Sequence, residues 1–101
     1  MKSSIGFHPE ALKEFHASAI YYSTEVSANV AQAFITTIEG STESIAKASQ
    51  RWPIVRKPDI RRYICRRFPF VIYYRVERED VTIYAVMHSS RRPEYWIGRL
   101  S

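Results

Sequence analysis

The sequence predicts an α+β fold: an N-terminal strand, an antiparallel two-helix hairpin, a three-stranded antiparallel meander and a short C-terminal helical turn. Apolar residues recur every three or four positions in the first half of the chain and alternate along strand-like segments in the second half. Pro53 and Pro58 separate the two halves, because proline disrupts the interior of a helix. A chain of 101 residues has room for one hydrophobic core, so residues 1–101 are expected to form a single domain.

The first half predicts a strand followed by two helices. A short apolar segment, Ile5 to Phe7, precedes Pro9, which suits the first turn of a helix that runs to Glu25. Ser27 is the predicted N-cap of the second helix, and the short break between the helices predicts that they lie antiparallel. The expected apolar stripes are Leu12, Phe15, Ala19, Tyr22 and Val26 in the first helix, and Val30, Phe34, Ile38, Ile45 and Ala48 in the second, with Gly40 as a weak point.

Three strands are predicted in the second half, at residues 60–66, 70–77 and 81–88, because these segments are rich in β-branched and aromatic residues. Unbroken alternation along the last two assigns the face under the helices to Phe70, Ile72, Tyr74, Val76, Ile83, Ala85 and Met87. It assigns the opposite face to Val71, Tyr73, Arg75, Tyr84, Val86 and His88. Two helices cannot cover both faces, so the opposite face is expected to meet a partner chain or a ligand. Trp96 is expected to pack the tail, in a helical turn that starts at Pro93, back onto the domain.

The charge of the chain is positive and unevenly distributed. Lys and Arg total 15 against 10 Asp and Glu, a net charge of +5, and Asp59 is the only acid in residues 51–67. Such a basic segment indicates an acidic partner, either nucleic acid or an acidic protein, unless its arginines only protect a strand edge. The N-terminus lacks an apolar run of signal-peptide length, and the longest apolar run, Phe68 to Tyr74, is too short to cross a membrane. A cytoplasmic protein without membrane contact is therefore expected.

The chain contains no pattern typical of a metal or cofactor site, and neither a metal nor a cofactor is expected. Cys65, in a strand-like stretch, is expected to be a small buried residue rather than a nucleophile. His8 is expected to cap the first helix, and His16 has no partner at ligand spacing. Glu10 and Glu14 are expected to belong to an exposed helix face that begins with acids.

Two segments of the second half carry a resemblance to the RelE/ParE family of bacterial toxins: "IRRYICRRFPFVIYYRVE", Ile60 to Glu77, and "VTIYAVMHSSRRPEYW", Val81 to Trp96. Members typically have an arginine-rich strand, a "FPY-x-IYY"-like central strand and a "H-x-x-R-x-P-x-x-W" ending. The matching residues are Arg61, Arg62, Phe68, Pro69, Phe70, Ile72, Tyr73, Tyr74, His88, Arg91, Pro93 and Trp96. The segment "HPEALKEF" is also typical, so the resemblance covers nearly the whole chain. It implies the β-α-α-β-β-β order of this family and the toxin of a type II toxin–antitoxin pair.

The resemblance leaves two activities open. The RelE-like branch cleaves messenger RNA on the ribosome, and the ParE-like branch inhibits DNA gyrase. For the RelE-like branch the resemblance implies a basic residue on the central strand, another after the last strand and a catalytic tyrosine in the tail, but Val71, Ser90 and Trp96 take those places here. These side chains cannot stabilise the charge or transfer the proton, and a long helix hairpin is typical of the ParE-like branch. We therefore expect a gyrase inhibitor that acts by binding, with no catalytic residues.

Ribosome-dependent cleavage of messenger RNA remains the alternative activity, with the ribosome and mRNA as partners. Cleavage through the 2'-hydroxyl needs a base, an acid and cations at one place. His88 and Tyr95 are the candidates for proton transfer, with Arg62 or Arg75 on the phosphate. A shift of the alignment by one residue at the tail would add Arg91 to this set.

Both branches share a cognate antitoxin, whose C-terminal segment the resemblance implies to wrap the toxin and to add a strand or a helix to it. An acidic, partly disordered segment would suit this basic chain, in which eleven arginines and four lysines favour bidentate capture of carboxylates. The residues expected to bind the antitoxin or the target are Arg61, Arg62, Arg66, Arg67, Tyr73, Arg75, Tyr84, Arg91 and Arg92. A toxin–antitoxin hetero-oligomer is expected.

Overall fold

A computed structural model of the chain describes residues 4–92 and 94–100. Its elements in chain order are β1 (Ser4–Phe7), α1 (Pro9–Glu25), α2 (Ala28–Lys47), β2 (Ile54–Arg56), β3 (Ile60–Ile64), β4 (Phe70–Glu77), β5 (Asp80–His88) and a 3-10 helix (Ile97–Leu100). The predicted α+β class and element order are confirmed. Pro93, which was expected to start the last helical turn, lies outside the described residues. None of the helices in the described part of the chain is long and apolar enough to cross a membrane.

The two helices begin where their capping residues predict. The Nδ1 atom of His8 accepts a hydrogen bond from the backbone N–H of Glu10 at 3.1 Å, and the Ser27 hydroxyl accepts one from the N–H of Val30 at 3.1 Å. The helices pack on each other as a hairpin, and α2 continues through Gly40 without a break. The predicted stripe of α1 is wrong at Leu12 and Val26, which are exposed.

One five-stranded sheet lies under the hairpin, in the order β1-β5-β4-β3-β2. The strands β2 to β5 are antiparallel neighbours, and β1 pairs parallel with β5 at the far edge. The predicted meander is therefore confirmed and is one strand longer than expected. The additional strand, β2, has only three residues and lies between Pro53 and Pro58, which hide its pattern in the sequence.

A β-bulge in β5 moves the side chains that follow it to the opposite faces of the sheet. The pairing with β4 shifts between Tyr73 and Tyr74, whose partners are Ala85 and Ile83, and this leaves Tyr84 as the extra residue. Ile83 therefore packs toward the helices as predicted, whereas Ala85 and Met87 pack on the opposite face. The predicted faces of Ala85, Met87, Val86 and His88 are wrong, because unbroken alternation does not allow for the inserted residue. Val86 packs in the helix-side core and the ring of His88 lies 5.3 Å from that of Phe70.

Two apolar clusters hold the sheet, one on each face. The helix-side core includes Ala11, Phe34, Ile38, Ile45, Cys65, Phe70, Ile72, Tyr74, Val81, Ile83 and Val86. Cys65 is buried there beside the Ser41 hydroxyl, at 3.6 Å, and burial raises the pKa of its thiol, as befits a packing residue. The opposite face, which was expected to need a partner or a ligand, is covered largely by the chain's own tail. Trp96 stacks on Tyr73 with 4.7 Å between ring centres and is only 2% exposed, so the predicted packing of the tail is confirmed.

Candidate functional site

A basic concave surface lies where the end of α2 and the linker to β2 meet strand β3. We call it the basic groove. Its volume is about 570 Å³, and it is lined by Ser44, Lys47, Ala48, Arg51, Trp52, Pro53, Arg62, Tyr63, Ile64 and Arg66. Four of these residues are cationic and none is acidic. The field of the groove therefore favours an anionic ligand.

Aromatic side chains form the apolar part of the basic groove. The rings of Trp52 and Tyr63 meet edge to face, with 4.8 Å between their centres, and both pack partly against the helix-side core. The guanidinium of Arg51 lies 5.5 Å from the centre of the Trp52 ring. A surface that combines cations with aromatic rings suits an acidic chain that also carries apolar side chains.

The linker that forms one wall of the groove is held by two side chains of the sheet. The Nη1 atom of Arg61 donates hydrogen bonds to the carbonyls of Gln50 and Trp52, at 3.0 and 2.6 Å. The Tyr74 hydroxyl donates to the carbonyl of Ser49 at 2.8 Å, and burial raises the pKa of Tyr74 to about 12. Arg61, which the sequence assigned to partner binding, therefore fixes the shape of the groove.

Several of the other residues expected to bind a partner also have partners within the chain. The Nε atom of Arg75 donates to the Asp59 carboxylate at 3.0 Å, and its guanidinium lies 5.7 Å from the centre of the Tyr84 ring. Burial alone would lower the pKa of Arg75, but the hydrogen bond and charge of Asp59 raise it. Tyr73 lies beneath Trp96 and is 6% exposed, so it presents almost no surface to a second molecule.

Three expected binding residues, Arg66, Arg67 and Arg92, are exposed. Arg66 lines the basic groove, and Arg67 lies beside it in the connector between β3 and β4. Arg92 belongs to the segment that follows β5. Among these three arginines, only Arg66 can be assigned to a defined concave surface in the described part of the chain.

The candidates for RNA cleavage lie on two different faces of the sheet. Arg62 is paired across the sheet with Tyr73, and Arg75 with Ile60, which places both arginines on the tail side. His88 lies on the helix side, against Phe70. A general acid or base on one face cannot serve a phosphate held on the other, so His88 does not form one catalytic centre with Arg62 or Arg75. Arg91, the additional candidate, lines a cavity of about 360 Å³ with His88 and with Glu14, whose carboxylate binds Tyr95.

The immediate contacts of His88 favour a structural role. Its Nδ1 atom accepts a hydrogen bond from the backbone N–H of Ser90 at 3.1 Å and lies 2.8 Å from the Ser90 hydroxyl oxygen. A neutral imidazole that accepts through Nδ1 carries its proton on Nε2. His88 therefore closes the turn after β5 through its Nδ1 atom.

Tyr95 is bound to an acidic residue and held neutral. Its hydroxyl donates a short hydrogen bond to the carboxylate of Glu14, and the guanidinium of Arg91 lies 3.8 Å from its ring centre. Burial, together with the hydrogen bond and charge of Glu14, raises the pKa of Tyr95. A phenol that is harder to ionise than usual is a poor general base.

The sequence-based expectation for Glu14 is wrong, because its side chain is only 11% exposed. Its carboxylate accepts both arms of the Arg99 guanidinium, each at 3.0 Å, and the backbone N–H of Val86 at 3.0 Å. Arg91 adds a longer ion pair at 3.6 Å. The one local signal was the position of Glu14 beside the apolar stripe of α1, since its partners are 72 to 85 residues away in the sequence.

Comparison with known proteins identifies the family. A family profile described as "ParE toxin of type II toxin-antitoxin system, parDE" matches residues 5–93. A solved structure titled "Chromosomal ParDE TA system from P. aeruginosa" contains a chain that superposes with a TM-score of 0.75 at 17% sequence identity, over 86% of this chain and 96% of that one. A comparison with curated protein sequences gives no match. The profile spans most of the chain and the solved structure has the same fold, so the chain belongs to the ParE toxin family of type II toxin–antitoxin systems.

Proposed function

We propose that this toxin inhibits DNA gyrase by binding, acts in the cytosol, and is neutralised by a cognate acidic antitoxin in a hetero-oligomer. The observation that carries the proposal is the separation of the cleavage candidates: His88 is on the helix side of the sheet, and Arg62 and Arg75 are on the tail side. An inhibitor that works by binding needs no convergent set of acid, base and cation. Membership of the ParE toxin family supports the same choice between the two branches.

The basic groove is the surface that we assign to the antitoxin. The charges of Lys47, Arg51 and Arg66 have no acid among the groove residues to neutralise them, so they attract an acidic segment. Exposed apolar side chains lie on the strands beside it: Ile54 and Val55 on β2, and Ile64 on β3. A segment in which acidic and apolar residues alternate would satisfy both kinds of surface, and β2 is an edge strand to which such a segment can add.

A different surface suits the gyrase contact. The last turns of α1 expose Ile20 and Tyr21, which are 65% and 60% accessible, and the C-cap residue Val26 is 58% accessible. Exposed large apolar side chains are typical of protein-binding surfaces. The hairpin would carry this apolar tip to the target at the turn between α1 and α2, whereas the groove is lined by the opposite end of α2.

Gyrase assays with purified toxin test the proposal. Gyrase should accumulate cleaved DNA and lose supercoiling activity as toxin is added, and the variant Tyr21→Ser should require a roughly tenfold higher concentration for the same effect. Relaxation of DNA by a type I topoisomerase serves as the control and should not change. Intact supercoiling at a large excess of folded toxin would overturn the proposal, and codon-position cuts in mRNA on programmed ribosomes would favour the RelE-like alternative.

A further inference from the structure

The positive charge of the basic groove continues beyond its walls. Six exposed cations lie in the groove or near its ends: Lys47, Arg51, Arg56, Lys57, Arg66 and Arg67. Three of them line the groove, one follows in the connector between β3 and β4, and two lie at the end of the edge strand β2. A ligand that pairs with all of them must therefore be longer than the groove itself.

The stretch of chain that carries these cations holds little negative charge. Asp59 is the only acid in residues 47–69, and its carboxylate is paired with Arg75 at 3.0 Å. The cations of this stretch therefore act together on an approaching anion, and their summed field attracts a ligand that carries many negative charges.

The spacing of negative charges distinguishes the ligands that could bind here. A DNA duplex carries one phosphate charge per about 1.7 Å of its length. An extended peptide turns every second side chain to the same side, so its charges on one surface are about 7 Å apart. Six exposed cations at one end of a small domain match the denser ligand, and the guanidinium of arginine can bind a phosphate through two N–H groups at once.

The contacts of the two rings in the groove favour binding to a nucleic-acid backbone rather than to its bases. Trp52 and Tyr63 meet edge to face at 4.8 Å, and the guanidinium of Arg51 lies 5.5 Å from the centre of the Trp52 ring. Proteins that bind single strands stack the bases on aromatic rings. Rings that already contact each other and a guanidinium are less suited to that role. Contacts to phosphates alone carry no sequence information.

We propose that the basic groove and the exposed cations near its ends bind the phosphate backbone of duplex DNA without sequence preference. The inference goes beyond the proposed function and rests on it only for the source of the DNA, because gyrase acts on duplex DNA. The apolar tip of the hairpin and the basic groove lie at opposite ends of α2, so one toxin can contact gyrase through the tip and DNA through the groove. An antitoxin segment in the groove then blocks the contact with DNA.

The first experiment measures binding of the purified toxin alone to fluorescently labelled DNA duplexes, by anisotropy at several salt concentrations. The logarithm of the association constant should fall with the logarithm of the salt concentration at a slope of about −3 to −5, because each phosphate contact contributes about −0.9. Two duplexes of equal length and different sequence should bind equally within about twofold. A slope flatter than about −1, or binding of only one of the sequences, would overturn the proposal.

Two matched pairs of substitutions locate the contact. Arg51→Gln combined with Arg66→Gln removes two exposed cations of the groove, so it should weaken binding at least about tenfold at low salt and make the slope shallower by about 2. Lys13→Gln combined with Arg78→Gln removes the same charge from exposed positions outside the groove, and it should weaken binding less than about threefold. Thermal unfolding verifies that both variants are folded. Equal losses in the two variants would mean general attraction to a basic protein and would overturn the proposal.

Competition tests whether DNA or only an acidic protein segment occupies the groove. An unlabelled peptide of alternating glutamate and leucine should displace the labelled duplex, because the two ligands would need the same cations. Binding of the peptide without binding of DNA, or simultaneous binding of both, would overturn the proposal. Since no step uses gyrase, a negative result here leaves the gyrase assays unaffected, and intact supercoiling in those assays leaves the binding of DNA to be measured as before.

Discussion

Glu14 in α1 and Arg99 in the C-terminal 3-10 helix form a two-pronged ion pair, with both nitrogen–oxygen distances at 3.0 Å. Arg99 also donates to the carbonyl of Tyr84 at 2.9 Å, so one side chain connects the first helix, the last strand and the tail. Burial alone would lower the pKa of Arg99, but the hydrogen bond and charge of Glu14 raise it. Two contacts thus hold the tail on the domain: this ion pair and the stacking of Trp96 on Tyr73.

Replacing Glu14 should destabilise the protein strongly. Glu14→Gln leaves Arg99 without its carboxylate in a mostly buried place, so we expect the free energy of unfolding in urea to fall by about 2 to 4 kcal/mol. Glu10→Gln is the matched control, because Glu10 pairs with Lys13 at 3.2 Å on an exposed surface, and it should cost less than about 0.5 kcal/mol. Similar losses in both variants would contradict the tail-fixing role of Glu14.

Stability should decrease at alkaline pH because of Tyr74 and Tyr95. Both pKa values are raised in the folded chain, that of Tyr74 from 10.0 to about 12, so the unfolded chain loses these protons first. The stabilisation that these two protonated tyrosines contribute is fully present below about pH 10. It is lost as the pH rises through their pKa values in the folded chain. Unfolding curves between pH 8 and 12 should therefore decline less steeply for Tyr74→Phe and for Tyr95→Phe than for the parent. An equally steep decline in the parent and in both variants would contradict this explanation.

The protein should become more stable when glycine replaces Arg78 in the turn between β4 and β5. Arg78 occupies the first position of the two-residue loop between Glu77 and Asp80, with φ at 60°, where side chains are disfavoured. Arg78→Gly should raise the free energy of unfolding by about 0.5 to 1 kcal/mol, measured as a higher melting temperature. Glu79→Gly, at the other loop position, should lower it slightly, and stabilisation by both substitutions would point to a different cause.

The basic groove should account for the affinity for acidic peptides. Arg51→Gln combined with Arg66→Gln should weaken binding of a labelled peptide of alternating glutamate and leucine by about 5- to 30-fold at low salt. Lys13→Gln combined with Arg78→Gln makes the same change in net charge outside the groove and should weaken binding less than about twofold. The difference between the pairs should shrink as salt is added, and a difference that persists in high salt would mean that the electrostatic explanation is wrong.

Growth inhibition should not depend on the candidates for RNA cleavage. His88→Ala combined with Tyr95→Phe removes both groups that could transfer a proton, yet a gyrase inhibitor should remain toxic when expressed without antitoxin. Tyr95→Phe also removes a hydrogen bond to Glu14, so thermal unfolding must first show that the double variant is folded at the growth temperature. Loss of toxicity in a folded double variant, with cleavage of mRNA by the parent, would favour the RelE-like activity.

Local signals in the sequence were sufficient for the helices and the main strands. His8, Pro9 and Ser27 are capping and first-turn residues whose effect acts within a few positions, and both helices begin at those residues. Strand β2 was missed because three residues between two prolines give no measurable alternation. The family was recognisable because its residues form contiguous segments.

The parts that could not be predicted depend on contacts between distant segments. Apart from the position of Glu14 beside the apolar stripe of α1, nothing near it in the sequence indicates that Tyr95 and Arg99 will bind its carboxylate. The stacking of Trp96 on Tyr73 is equally invisible, because the two residues belong to separate segments that meet only when the tail packs on the sheet. Composition located the basic segment correctly, but only the structure separates Arg61, which braces the linker, from Arg66, which lines the groove.

The bulge at Tyr84 also bears on how relatives should be compared. One inserted residue changes the parity of every later position in β5, so His88 shares a side with Phe70 instead of with Tyr73. In a relative whose last strand lacks the insertion, a histidine aligned to His88 without a gap would point to the tail side, where a cationic centre could include it. Identical residues in an alignment at position 88 therefore need not occupy equivalent positions in space. The pairing of the strands must be compared before a role is transferred from one relative to another.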